Sequence, residues 1–351
     1  MRAACVFAMG VGVLFLPAML LAEAIPPARI DPDLPAYAAK TALSGEIRCA
    51  GGNTMQALVV EWGRLFQMHH PRATVGVRKD TSLAAEGFDA LLAGSANCAT
   101  FVREPFPAEI AAFTQKFGYP PLLVNVAGGS YATPGGTHAI AIYVNAANPL
   151  GRLTLPELDA IFSTTRRRGA AQEINRWGQL GLGGEWADRP IHVYTMLRQR
   201  DTANPPGIMN YLAQRVLQGG EFRADVREQR DAPGETALAA IVNRVAADPS
   251  GIGFSGIAFA VPGVKRIALA ERAGGRYFAG DVGEVARRDY PLSRRIYVLL
   301  NRVPDQPMVP VVREFLTLVL SREGQQAVAK DHMQFLPLSA ADAAAARIAI
   351  D

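Results

Sequence analysis

Short apolar segments of strand length alternate with segments of helical periodicity along most of this chain. Strands are predicted at 46–50, 74–77, 96–101, 139–144, 191–194, 252–258 and 295–300. Helices are predicted at 54–69, 86–93, 107–117, 155–162, 210–217, 234–245, 311–320 and 325–330. Such an alternation is typical of α/β folds in which helices cover both faces of a parallel sheet. With 351 residues, the chain is long enough for about two such domains.

The first 24 residues differ from the rest of the chain. Arg2 is followed by an apolar stretch over residues 3–22, and the segment ends in Ala22-Glu23-Ala24. This order is typical of a secretory signal peptide, residues 1–24, that is cleaved after Ala24. An uncleaved membrane anchor is the alternative, because about 20 apolar residues can span a bilayer. A Pro-rich segment at 25–44 then predicts an extended leader.

Export would remove Cys5 and leave Cys49 and Cys98 in an oxidising compartment. Both cysteines lie in predicted strands. If those strands are neighbours in a parallel sheet, their Cα atoms lie about 5 Å apart, which is within disulfide range. Two separate buried thiols are the alternative.

Charge and motif content exclude several classes of function. The chain has 36 basic and 32 acidic residues, a surplus too small to indicate a nucleic acid partner. The five histidines are scattered, and no spacing of Cys and His matches a zinc site. No nucleophile-elbow, Walker or dinucleotide motif appears at a predicted strand-to-helix junction. We therefore expect no metal, no cofactor and no enzymatic activity. An acid/base site would require Glu86, Asp89 and His138 to converge.

One strand-to-helix junction offers a mechanism for binding. In Ala50-Gly51-Gly52-Asn53-Thr54-Met55, the glycines allow close approach of the backbone, and Asn53 or Thr54 can cap the next helix. Unpaired amides at a helix N-terminus attract anions. A plain helix cap without a ligand is the alternative.

A longer set of segments points to one family. These segments are 51–55 with the helix through Trp62, 90–97, 139–149, 153–162, 177–191, 251–256, 290–295 and 315–325. Together, from about residue 46 to residue 336, they resemble the periplasmic phosphate-binding proteins of phosphate ABC transporters. The resemblance implies an α/β, two-lobed periplasmic binding protein of type II-like architecture, each lobe a mostly parallel sheet flanked by helices. It places lobe I at 45–140 and 296–345 and lobe II at 141–295, with the ligand enclosed between them by hinge closure.

The same resemblance implies that backbone amides, hydroxyls and an arginine hold a small oxyanion. Where the family's first loop has Ser, this chain has Gly52, while the family's Thr is kept as Thr54. The family's Ser-Arg after the third strand corresponds to Val102-Arg103, so the arginine remains without its serine. His138 replaces the family's Asp, behind an apparent insertion at 128–137.

Two further loops depart more strongly from the family pattern. The family's Gly-Ser-Ser-Thr run aligns with Leu83-Ala84-Ala85-Glu86, and only a shifted loop would let Thr81 and Ser82 substitute. The family's Ser-Gly-Thr aligns either with Pro206-Gly207-Ile208 or with Thr202-Ala203-Asn204. The candidate ligand-binding residues are therefore Gly52, Asn53, Thr54, Arg103, Thr202, Asn204 and Gly207.

These departures predict a periplasmic solute-binding protein of the phosphate ABC transporter family with weakened or altered phosphate specificity. The physical reason is that each hydroxyl lost from a charged oxygen costs about 1.5–3 kcal/mol of affinity. The expected partners are a small oxyanion or other small solute and an ABC permease in the inner membrane, and we expect a monomer. The alternative is a protein-interaction or sensing module on the same scaffold, without a small ligand.

Overall fold

The computed structural model describes residues 29–133, 135–197 and 206–351. The strands are β1 (Ser44–Gly51), β2 (Arg72–Val77), β3 (Cys98–Phe101), β4 (Leu122–Ser130), β5 (Ile140–Asn145), β6 (Arg152–Thr154), β7 (His192–Met196), β8 (Arg227–Gln229), β9 (Gly251–Gly256), β10 (Val264–Arg266), β11 (Ala268–Ala270), β12 (Arg295–Leu300) and β13 (Phe335–Leu336). The helices are α1 (Gln56–His69), α2 (Ala84–Ala93), α3 (Pro107–Phe117), α4 (Leu155–Phe162), α5 (Gly207–Arg215), α6 (Ala237–Ala247), α7 (Val282–Ala286), α8 (Pro310–Val319), α9 (Arg322–Lys330) and α10 (Ala340–Ile348). The predicted signal peptide lies outside the described residues, as do the candidate residues Thr202 and Asn204.

The first sheet has six strands in the order β13-β4-β12-β3-β1-β2. β1 pairs in parallel with β2 on one side and with β3 on the other. Helices α1, α8 and α9 cover one face, where Trp62, Phe66 and Phe315 are buried in the largest core cluster. Helices α2 and α3 cover the other face through a smaller cluster around Phe113. This sheet and its helices form the first lobe.

The second sheet has five strands in the order β10-β5-β9-β7-β8. All six residues of β5 are buried, as its unbroken apolar sequence predicts for a strand covered on both faces. Helix α6 packs on one face through Ile241, and α4 and α5 supply Leu158 and Leu212 to the cluster on the other face. This sheet and its helices form the second lobe.

The α/β class with two lobes and mostly parallel, helix-flanked sheets is confirmed, since four of the six strands in the first sheet and four of the five in the second run in one direction. In the first sheet, β12 runs antiparallel to β3 and β4, and β13 is antiparallel to β4. In the second sheet, β5 runs antiparallel to β9 and β10. β5 and β12 are the strands that carry the chain from one sheet to the other.

The nine-residue strand β4 was not expected from the sequence. It includes Gly128 and Gly129, which the alignment assigns to an insertion. Glycines usually signal a turn, but here they allow close packing on the sheet. A Cβ at Gly128 would lie 3.0 Å from the Leu336 Cβ, and one at Gly129 would lie 2.9 Å from the Arg294 Cβ. The domain boundaries inferred from the resemblance stay a prediction. In the described part of the chain, no helix has the length and apolar character needed to cross a membrane.

Candidate functional site

A cavity of about 280 Å³, which we call the cleft cavity, lies between the two lobes. The first lobe contributes Val102 and Arg103, which follow β3. The second lobe contributes Gly207 and Ile208, which begin α5, and Met196, which ends β7. Ligand sites in α/β proteins lie beyond the carboxyl ends of their parallel strands, which is the position of β3 and β7 here.

The loop after β1 adjoins this cavity through Val102. A Cβ at Gly52 would lie 3.7 Å from Thr54 Oγ1 and 3.8 Å from Val102 Cγ2. The Asn53 side chain is exposed, and the backbone N–H of Asn53 donates to the Ser82 carbonyl at 2.9 Å. The Thr54 hydroxyl oxygen is buried and has no hydrogen-bond partner among the residues described. Because buried polar atoms are nearly always bonded, Thr54 is a candidate contact for a ligand.

The backbone amides of the loop before α2 are already bonded to a carboxylate of the chain itself, that of Glu86. Glu86 Oε2 accepts from the amides of Ser82 at 2.6 Å and Leu83 at 3.0 Å. These bonds hold the pKa of the Glu86 carboxyl below its usual value. A glutamate three residues into a helix is the typical capping position, so the sequence did contain a signal for this role.

The hydroxyls beside this loop are also engaged. Thr81 Oγ1 accepts from the Gly51 amide at 3.0 Å and donates to the Arg78 carbonyl at 3.2 Å. The Ser82 hydroxyl donates to Glu86 at 3.3 Å. Neither hydroxyl takes the place of the family's serines as a free donor.

Arg103 reaches the cavity with its aliphatic stem, while its guanidinium is paired inside the first lobe. Nη1 and Nη2 donate to the two carboxylate oxygens of Glu109 at 2.8 and 2.6 Å. The guanidinium also lies 3.7 Å from the centre of the Phe106 ring. Across the cleft, a Cβ at Gly207 would lie 3.4 Å from Arg103 Cδ. The structure thus brings Arg103 and Gly207 together but leaves no free guanidinium at Arg103.

A second buried arginine, Arg294, lines the cavity and was missed as a site residue, although it belongs to the 290–295 segment of the resemblance. Its Nη2 donates to Glu104 Oε2 at 2.8 Å, and its guanidinium lies 4.4 Å from the Tyr211 ring centre. Its Nε is buried and has no hydrogen-bond partner in the described ranges. Only the tertiary structure brings this residue to the cleft.

Comparison with known proteins identifies the family of this chain. A family model described as the PBP superfamily domain matches residues 36–323. The phosphate-binding protein PstS from two strains of Pseudomonas aeruginosa is 36% identical over 317 residues, which cover 90% of this chain and 91% of the relative. The chain belongs to the PstS family of phosphate-binding proteins. A solved PstS from Borrelia burgdorferi is 15% identical with a TM-score of 0.51, and the match covers 84% of this chain and 99% of that one, which supports the fold.

These relatives are named as binding proteins and not as enzymes, which agrees with the expectation that this chain has no enzymatic activity. The alternative acid/base group also has separate bonding partners here. Glu86 caps α2, whereas His138 Nε2 is bonded to the Thr133 carbonyl oxygen. No group of three or more His, Cys, Asp or Glu side chains able to hold a metal ion occurs within the described residues.

A disulfide joins the two strands that lead into this PstS-family cleft. Cys49 of β1 and Cys98 of β3 are paired residues in the parallel register, with Cα atoms 4.4 Å apart. Both side chains are buried. Gly52 lies a few residues after Cys49, and Val102 lies a few residues after Cys98. The disulfide therefore links the strands that lead into the loop after β1 and the loop after β3.

Proposed function

We propose that this chain is the periplasmic solute-binding component of a phosphate-type ABC transporter, that it holds a small anion in the cleft cavity, and that its affinity for inorganic phosphate is weak. The observation that carries the proposal is the state of the donors around the cavity. Two arginines and one anion-binding loop are already bonded to carboxylates of the chain itself. Among the described residues, the Thr54 hydroxyl and the first amides of α5 have no hydrogen-bond partner.

These unused donors support the binding of an anion. Thr54 Oγ1 has no partner in the described part of the chain. Helix α5 begins after Pro206 without a side-chain cap, and its Gly207 and Ile208 amides make no hydrogen bond to any described residue. Helix N-termini carry partial positive charge, so the first amides of α5 suit an anion in the cleft cavity, and the loop that carries Thr54 adjoins the opposite wall at Val102.

The internal pairs support weak phosphate binding. A phosphate would have to compete with Glu109 for Arg103, with Glu104 for Arg294 and with Glu86 for the loop before α2. A hydrogen bond to a charged group contributes about 1.5–3 kcal/mol, and each 1.4 kcal/mol changes affinity about tenfold. The loss of two such bonds weakens affinity by about a hundredfold or more.

The setting follows from the predicted signal peptide and from the family. Cleavage after Ala24 would deliver the protein to the periplasm, where the Cys49–Cys98 disulfide is stable against reduction. The proposed partner for transport is an inner-membrane ABC permease, and the proposed solution state is a monomer.

Isothermal titration of the mature protein with inorganic phosphate at neutral pH tests the proposal. We expect a dissociation constant weaker than about 1 µM, equivalent to less than about 8.2 kcal/mol of binding free energy. A sub-micromolar constant would show that the internal pairs do not limit binding. Thr54→Val removes the unpartnered hydroxyl at nearly constant volume and should weaken whatever affinity is present.

A thermal-shift screen separates this proposal from the alternative of an interaction module. A ligand at about 100 times its dissociation constant stabilises the folded state by about 2.7 kcal/mol. We expect at least one of phosphate, sulfate, arsenate and organic phosphates to raise the melting temperature, and less so in the Thr54→Val variant. No shift with any of them would favour a scaffold without a small ligand.

A further inference from the structure

A second and larger cavity, which we call the hinge cavity, has a volume of about 460 Å³. Helix α5 contributes Tyr211 and Arg215 to its wall, and the returning strand β12 contributes Arg295 and Tyr297. Its size falls within the range of about 300–1,000 Å³ that is typical of small-molecule sites. Because α5 belongs to the second lobe and β12 to the first, both lobes line it.

The hinge cavity is separated from the cleft cavity by one ion pair. Glu104 lines the hinge cavity, Arg294 lines the cleft cavity, and the two side chains are joined at 2.8 Å. The ring of Tyr211, beside Arg294, belongs to the wall of the hinge cavity. A ligand in the hinge cavity would therefore occupy a different space from an anion in the cleft.

The hinge cavity also contains a buried arginine with unused donors. The Arg288 side chain is 8% exposed, and its Nη1 forms an ion pair with Asp342. Its Nε and Nη2 are buried and make no hydrogen bond to any residue that the structure describes. Buried arginine nitrogens normally have partners, so this guanidinium has capacity for an anionic acceptor.

The charges around the cavity indicate how much negative charge a ligand would carry. Arg215 is paired with Glu271, Arg288 with Asp342, and Glu104 with Arg294. Arg295 is exposed and has no ion-pair partner within the described ranges. The wall with its immediate partners thus has one uncompensated positive charge, which balances one carboxylate. A phosphate ester, with up to about two negative charges at neutral pH, would use the unbonded Arg288 donors as well.

Aromatic side chains supply the rest of the wall. The rings of Tyr211, Tyr290 and Tyr297 all line the cavity. Burial, with a smaller contribution from Glu104, raises the pKa of Tyr297 to about 12, so its hydroxyl keeps its proton at neutral pH. Because Tyr297 lines the cavity, its hydroxyl can donate to a ligand there. Flat rings beside arginines favour a planar, apolar ligand body.

We propose that the hinge cavity is a second binding site, which takes a small aromatic anion with a single carboxylate or phosphate ester. Its anionic group would lie between Arg288 and Arg295, and its ring would lie against the tyrosines. Since both lobes contribute to the site, an occupied cavity would stabilise the lobe arrangement seen here. This site does not depend on the proposed anion site in the cleft.

Isothermal titration with benzoate and with phenyl phosphate tests this proposal on the mature protein. We expect at least one probe to bind, and Arg295→Ala to weaken that binding about tenfold or more, the usual effect of losing one charged contact. Arg295 is exposed and has no ion-pair partner among the residues that the structure describes, so the variant should fold, which its circular dichroism melt would verify.

Two control variants locate the binding. Arg287→Ala removes an equally charged, exposed neighbour that does not line the cavity, and Thr54→Val alters only the cleft. Both should keep the affinity for the probe within about twofold. The proposal is wrong if neither probe binds, if Arg295→Ala binds like the wild type, or if Thr54→Val removes the binding. The last result would assign the probe to the cleft.

Discussion

Arg294 and Glu104 form a buried ion pair at the boundary between the two lobes, with Nη2 and Oε2 2.8 Å apart and side chains 6% and 12% exposed. Arg294 directly precedes β12, and Glu104 lies in the loop after β3. The ion pair therefore joins the start of β12 to the loop that follows β3 and reaches the cleft. It also separates the cleft cavity from the hinge cavity.

Replacement of one member of this pair should be costly. Arg294→Met leaves the Glu104 carboxylate buried without its partner, and such a change costs about 3–5 kcal/mol of folding free energy. The double variant Arg294→Met/Glu104→Gln should recover a large part of the loss. Chemical denaturation of the three proteins measures both effects. Equal stability of the wild type and the single variant would contradict the prediction, because it would mean that water replaces Arg294 as the partner of the Glu104 carboxylate.

The Cys49–Cys98 disulfide should contribute measurably to stability. It closes a loop with a sequence separation of 49, for which a contribution of about 2–4 kcal/mol is typical. We expect Cys49→Ala/Cys98→Ala to unfold at lower denaturant concentration than the oxidised wild type. A reducing agent should destabilise the wild type and leave the double variant unchanged. Two free thiols in the denatured, unreduced protein would disprove the bond.

Glu86 should limit the affinity for phosphate. Glu86→Ala removes a negative charge and frees the Ser82 and Leu83 amides, so phosphate should bind several times more tightly, within the range of about threefold to tenfold. Asp89→Ala is the matched control, because it removes an exposed carboxylate from the same helix. Titration calorimetry compares the three proteins. If both variants change phosphate affinity equally, the effect is one of overall charge and not of the freed amides.

His70 should make folding stability depend on pH. The ring is fully buried: Nδ1 accepts from the Leu43 amide at 3.1 Å, so Nε2 carries the proton toward the Tyr37 hydroxyl at 2.6 Å. Tyr37 in turn donates to Glu314 at 2.9 Å. Burial lowers the pKa of His70 below its usual value of 6.5. Below that value the unfolded chain therefore binds a proton more readily than the folded one.

The sign follows from proton linkage. Stability from His70 is complete above pH 6.5 and decreases as the pH falls from there toward the lower pKa of the folded state. Denaturation midpoints measured across this interval should decrease with falling pH. The decrease should be smaller in His70→Gln, while His332→Gln, which alters an exposed histidine, should follow the wild type. An identical slope in all three proteins would assign the pH dependence to other groups.

Several features followed from the sequence because their causes are local. Helices α3 and α4 begin and end where their periodicity and first-turn prolines predict. The apolar run of β5 indicated a strand buried on both faces. β4 was missed because Gly128 and Gly129 have the local pattern of a turn, although here they allow close packing against Leu336 and Arg294.

The sequence by itself determined the alternation of helices and strands, the family, and the loops that carry the candidate donors, because apolar periodicity and motif order are properties of neighbouring residues. Only the tertiary structure decided whether Cys49 meets Cys98, since that depends on the strand order and on the register of β1 and β3. It also decided which donors remain free. Arg294 and Glu104 are separated by 190 positions, and only folding brings that carboxylate to that guanidinium while Thr54 has no partner in the described part of the chain.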